Sequence, residues 1–180
     1  MLRNLCLISL VVLAASGCST YSVNRYAVSV DNISSLKTMV NSKINVGDFN
    51  AAGESRTSIT CRGVGPIKTP DGDSFESFIR KAFVDELKMA EAFDTDAPVT
   101  LTGTLDSIDF SSTSGSWDIA MTINSSNGES LSVSESYSFT SSFYGETACN
   151  QTAQALMPAV QNLIGKIVRD ENFPELVKGT

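Results

Sequence analysis

From Val99 to Phe139 the chain alternates apolar and hydroxyl side chains through three consecutive segments. In PVTLTGTL, Val99, Leu101 and Leu105 lie opposite Thr100, Thr102 and Thr104; in WDIAMTI, Trp117, Ile119, Met121 and Ile123 lie opposite Asp118, Ala120 and Thr122. In LSVSESYSF, Leu131, Val133, Tyr137 and Phe139 lie opposite Ser132, Ser134, Ser136 and Ser138. A period of two puts each set on its own face of a pleated strand. Such strands need an apolar layer against one face and water against the other. Ile108 and Phe110 reverse the parity of the first segment, which predicts a bulge near Asp106–Ser107. Asn127-Gly128 is a turn signal between the second and third.

Two helical stripes can supply the covering layer. Phe75, Phe78, Ile79, Ala82, Phe83, Leu87, Ala90 and Phe93 recur at threes and fours across residues 73–93, and Asp73 with Glu76 suits a capping box. A second stripe, Ala153, Leu156, Met157, Val160, Leu163, Ile164, Ile167 and Val168, runs from about Thr147 to Arg169. Pro158 lacks a backbone donor there and predicts a kink or a restart. Residues 44–49 read as a first strand, Asn32–Val40 as a short helix capped by Asn32, and residues 173–177 as a last turn. Residues 50–72, rich in glycine and proline, read as a loop with some strand at Ser58–Cys61. The expected fold is α+β: a two-layer sandwich with a mainly antiparallel sheet of about four strands and two amphipathic helices on one face.

The amino terminus carries a different message. A short positive region, Met1–Asn4, precedes an apolar run from Leu5 to Ala15, well short of the roughly 20 residues that span a bilayer. Ala15-Ser16-Gly17-Cys18 follows, and it resembles the lipobox of bacterial lipoproteins. That resemblance implies cleavage before Cys18, a diacylglycerol on its thiol and an acyl chain on its new amino group. At roughly 0.8 kcal/mol per buried methylene, several chains anchor effectively for good. The alternative is an ordinary signal peptide that leaves Cys18 a plain thiol. The expected division is residues 1–17 as cleaved signal, 18–24 as lipidated Cys18 with a short polar tether, and 25–180 as one periplasmic domain. Ser19, where an aspartate would favour the inner membrane, implies the periplasmic face of an outer membrane.

Charge and cysteine usage narrow the function. The whole chain has 13 Lys+Arg, 20 Asp+Glu and no histidine; losing Arg3 leaves 12 − 20 = −8. Nucleic acid is therefore not an expected partner, nor is broad attraction to anionic lipid. His-based triads and His metal ligands are excluded. Of four cysteines, Cys6 leaves with the signal and Cys18 is modified. Cys61 precedes the first long helix and Cys149 starts the second. If both helices begin at one end of the sheet, the two thiols meet as a disulfide. The alternative is two separately buried thiols.

No constellation in the sequence demands catalysis. Asp71-Gly72-Asp73 lacks the further ligands of a calcium loop and reads as a turn and helix cap. Asp106, Asp109 and Glu135 read as solvated acids rather than a glycosidase pair, and the many serines have no activating base. No catalytic residue, metal or cofactor beyond the acyl chains is expected. Phe143 and Tyr144 fit neither the strand nor the helix period; beside the cysteines they would form a contact patch.

Several stretches resemble the small bacterial envelope lipoproteins of the YajG type: the Ala15-Ser16-Gly17-Cys18 lipobox, FIRKAFVDELKMA followed by PVTLTGTLDSIDF, the hairpin at residues 126–128, and IGKIVRDENFPELVKG. The plan also looks like the lipoprotein partner of the lipopolysaccharide translocon and the auxiliary lipoproteins of lipid-transport ABC systems. These resemblances imply a non-enzymatic, lipid-anchored accessory protein that binds another envelope protein through its sheet face, its edge strand or the loops at the cysteine end. The alternative is a carrier of lipid or a small hydrophobe, which needs a cavity of roughly 300 Å³ or more between helices and sheet. An envelope hydrolase ranks third.

Overall fold

The computed structural model describes residues 19–39 and 43–179. Its central feature is a four-stranded sheet of β2 (Asn45–Ala51), β5 (Thr100–Ser111), β6 (Ser116–Ser125) and β7 (Ser130–Ser138), in the order β2-β5-β6-β7. β5, β6 and β7 form an antiparallel meander, and β2 pairs parallel to β5. The ladder between β5 and β6 shifts register between Leu105 and Ser107, the bulge that the parity change predicts. Gly128 closes the β6–β7 turn with a positive φ of 99°.

α2 (Phe75–Met89) and α3 (Gly145–Val168) cover the apolar face. Trp117 anchors the interface near the start of β6: it is fully buried, 4.9 Å from the Phe110 ring and 6.3 Å from the Phe75 ring, and donates its indole N–H to the Thr152 carbonyl at 2.8 Å. Phe83, Leu101, Met121 and Leu156 are buried in the same core. At about 25 cal/mol per Å² of apolar surface, burying such side chains is the main favourable contribution to this layer. α3 runs through Pro158 as one helix without a restart, because its apolar stripe packs on both sides of the missing donor. α4 (Phe173–Leu176) ends the fold, tied to the β6–β7 turn by Asn127 Nδ2, which donates to the carbonyls of Glu175 and Lys178, both at 2.9 Å.

Three local expectations are corrected. α1 (Val30–Met39) starts ahead of Asn32 and is capped by Ser29, whose Oγ accepts from the Asn32 N–H; the Asn32 side chain is buried and bonded elsewhere. α2 is capped by Ser74, whose Oγ accepts from the Ser77 N–H, so no Asp73–Glu76 box forms; Asp73 pairs with Lys81 instead. Residues 50–72 contain a second sheet. β3 (Ser58–Cys61) and β4 (Gly65–Lys68) form a tight hairpin, and β1 (Tyr21–Ser22) pairs parallel to β4. Val23 then donates to the Lys68 carbonyl at 2.8 Å and is buried. Residues 21–23, which the sequence suggested were polar leader, are thus built into the domain.

Candidate functional site

Cys61 closes β3 and Cys149 lies in the first turns of α3. They form a disulfide with their Cα atoms 5.9 Å apart, both side chains fully buried. The next residue, Arg62, sits in the left-handed region at φ 47°, at the hairpin tip. From there it donates Nε to Ser112 Oγ at 2.9 Å, Nη2 to the Ser112 carbonyl at 2.5 Å and Nη1 to the Phe143 carbonyl at 3.1 Å. Arg62 therefore clips the β5–β6 turn and the loop before α3 to the disulfide.

That loop holds its backbone firmly and offers its side chains. Ser142 N–H donates to Gln151 Oε1 at 2.7 Å, and Tyr144 N–H to Ser142 Oγ at 3.1 Å. Phe143 is 94% exposed and Tyr144 77%, their rings edge to face at 6.2 Å. A groove of about 540 Å³ lined by Arg62, Thr113, Ser141, Ser142 and Phe143 lies beside them. The structure brings the patch residues and the disulfide to one end of the molecule.

The start of the described chain reaches the same end. Gly65, at the other side of the hairpin tip, lies so close to Ser19 that a Cβ there would overlap the Ser19 carbonyl. A Cβ on Gly145 would meet Val64 Cγ2 at 3.1 Å. Ser19, the hairpin tip and the start of α3 converge. Cys18 lies outside the described residues, one peptide bond before Ser19.

Comparison with known proteins adds little to this geometry. No protein-family model matches the chain, and no curated protein matches it. Among solved structures, the chain is similar to a putative lipoprotein from Caulobacter crescentus CB15, 12% identical, with a TM-score of 0.38 over 76% of this chain and 89% of that one. Among the described residues no helix is long and apolar enough to cross a membrane.

The acidic residues do not converge on a catalytic pair. Asp106 accepts from Thr122 Oγ1 at 2.8 Å and Asp109 sits across from Asp118, both on the solvated face. Glu135 shares a cross-strand row with Ile119 on the covered face, where it is 6% exposed and pairs with Lys166 of α3 at 2.8 Å. Asp71 is neutralised by Arg25 through two bonds of 2.7 Å. An open cleft of about 490 Å³ lies between residues 51–56, the start of α2 and Leu105–Asp109; Glu76 lines it, with Oε1 bonded to Ser55.

Sequence reasoning missed one buried polar centre. Glu86 is fully buried on α2, and its Oε1 accepts from Tyr26 Oη at 2.6 Å and from the Ser29 N–H at 2.8 Å. Asn32 Nδ2 donates to the Gln161 carbonyl at 2.9 Å, while Arg169 Nη1 donates to Asn32 Oδ1 at 3.0 Å. This network binds residues 26–32 to α2 and α3. Burial, and then the hydrogen bond to the Glu86 carboxylate, push the Tyr26 hydroxyl far above its ordinary pKa. The clue in the sequence was position: Glu86 is seven residues after Ile79 and four after Ala82, inside the apolar stripe.

The sheet edges differ. Arg80 of α2 donates to the carbonyls of Val46 at 2.9 Å and Gly47 at 2.6 Å on β2. Where β5 extends past β2, Arg56 takes the Ile108 carbonyl at 2.7 Å and the Asp109 carboxylate takes the Phe110 N–H at 2.8 Å. β7 pairs with β6 along nine residues, and on its other side Lys166 takes the Ser134 carbonyl at 2.7 Å. Since N–H and C=O of one residue point the same way in an antiparallel ladder, the Ser132, Ser134 and Ser136 amides share that outward direction. No backbone partner meets them among the described residues.

Proposed function

We propose that this chain is a lipid-anchored envelope protein that works by binding rather than catalysis, held through acylated Cys18 on the periplasmic face of an outer membrane. There it serves as an accessory protein that takes an extended segment of another envelope protein onto β7. The observation that carries this reading is the outer side of β7: Lys166 takes one outward carbonyl, that of Ser134, while the outward amides of Ser132, Ser134 and Ser136 have no backbone partner among the described residues and lie beside an all-serine face. An open edge of this kind is a template for strand addition, with backbone hydrogen bonds supplying affinity. The lipobox at residues 15–18 and the resemblance to small envelope lipoproteins of the YajG type support the location. The cleft of about 490 Å³ between the start of α2 and β5 is open and lined by Glu54, Arg56, Glu76, Asp106 and Asp109, which favours surface binding over carriage of a hydrophobe there.

Photo-crosslinking from Ser132 or Ser136 in intact cells, followed by mass spectrometry, tests the proposal. A discrete heterologous adduct is expected, lost on Ser134→Pro, which removes an outward amide and leaves the β6 ladder intact. Recovery of monomer alone from both positions would refute it.

A further inference from the structure

We infer that the Phe143–Tyr144 loop is a membrane-surface contact: the two rings lie in the lipid headgroup layer of the leaflet that holds the anchor, and they set the domain's orientation on it. The inference rests on the proposed lipidation of Cys18.

Tether length is the first ground. Consecutive Cα atoms are about 3.8 Å apart, so the residue that would carry the acyl chains is that far from Ser19. Ser19 is packed against Gly65, and β1 begins two residues later. The headgroup layer is roughly 6 Å thick on each side of the hydrocarbon core. With so short a link, the end of the domain that holds Ser19, the hairpin tip and the start of α3 rests at headgroup depth. Phe143 and Tyr144 are at that end.

Side-chain chemistry is the second ground. Among the described residues four large apolar side chains are exposed, and two of them, adjacent in sequence, are here, at 94% and 77% exposure on a loop whose backbone is held by Arg62, Ser142 and Gln151. An amphipathic aromatic ring such as tyrosine is favoured at the membrane–water interface, where its apolar body and polar tip are both accommodated. Charge does not supply the attraction. The mature chain carries 12 − 20 = −8, and Arg62, the cation beside the loop, spends its donors on Ser112 and Phe143. The contact is therefore apolar and does not weaken as salt is raised.

The test uses the mature acylated protein in vesicles of phosphatidylethanolamine and phosphatidylglycerol, with part of the lipid replaced by phosphatidylcholine brominated on the upper acyl carbons. Native Trp117 is fully buried and serves as background. Two variants each add one tryptophan at an exposed position: Tyr144→Trp, and Glu129→Trp at the opposite end of β6, about 30 Å away. Flotation of both with the vesicles is expected. Bromine should then remove the emission added at position 144, leave that added at position 129, and do so no less at high salt than at low. If both variants float and emission at position 144 is unchanged, or both positions are quenched alike, the inference is overturned while lipid anchoring stands. If the acylated protein does not float, the lipidation reading fails and the inference falls with it.

Discussion

Replacing both Cys61 and Cys149 by alanine isolates what the disulfide contributes. The bond joins residues 88 positions apart. With that loop, the chain-entropy relation assigns about 4.6 kcal/mol to constraint of the unfolded chain. For the 163 residues that follow the expected cleavage site, the unfolding entropy near 60 °C is about 0.34 kcal/mol/K, so the midpoint should fall by about 13 °C. Urea titration of wild type and variant, followed by far-UV circular dichroism, provides the free energies. The slope should rise in the variant, because an uncrosslinked unfolded chain exposes more surface. Both sulfurs are fully buried, so packing loss adds to the entropic value. A loss under about 1 kcal/mol with unchanged slope would refute the reasoning. It would mean that the unfolded chain stays compact enough without the bond to gain little entropy from its loss, or that the bond does not form; thiol titration of the unfolded protein separates these two failures.

Three further outcomes follow from particular contacts. Because the folded-state pKa of Tyr26 is raised, its contribution is complete below about pH 10 and is lost as pH climbs above that, at about 1.4 kcal/mol per pH unit; urea unfolding across this window should show the steep fall in wild type and not in Tyr26→Phe. Gly65→Ala drives a methyl into the Ser19 carbonyl, so hydrogen exchange at residues 21–23 should rise sharply while exchange in β5–β7 stays slow. In Gly103→Ala the new methyl would lie 2.6 Å from Met121 Cε and 2.8 Å from the Phe49 ring; overpacking should cost about 1–3 kcal/mol, measured by thermal unfolding, and an unchanged midpoint would show that the core yields more easily than these distances imply.

Much of the fold was legible because periodicity records which side of an element meets the core. The meander, its bulge, both long helices and the meeting of Cys61 with Cys149 all follow from alternation and direction. The small sheet was harder. β3 was legible at its observed bounds, Ser58–Cys61, but β4 has four residues, too few for a period to stand out, and glycine and proline at Gly65-Pro66 point to a loop. β1 is a two-residue strand whose partner is 46 positions away, at Ile67, so nothing local marks it. Helix starts were displaced because Asn32 and Asp73 look like caps. Ser29 and Ser74 take that role, since the buried network claims Asn32 and the Lys81 ammonium claims Asp73. The aromatic loop was visible as residues outside every pattern. Its closeness to Ser19 depends on the β1–β4 pairing, which the sequence does not announce.

That pairing also determines how the molecule responds to mechanical load. Were the chain held at Cys18 and loaded at β7, as proposed above, the pull would enter through Ser19 and meet β1, whose ladder has two residue pairs, before reaching the hairpin that the disulfide rivets to α3. The weakest link in that series is β1. Peeling residues 19–25, as far as the Tyr26–Glu86 bond, would pay out about 24 Å of chain, while the riveted body stayed folded. In such a series the amino-terminal strand would be a release catch, yielding chain length while the disulfide-riveted body keeps its fold.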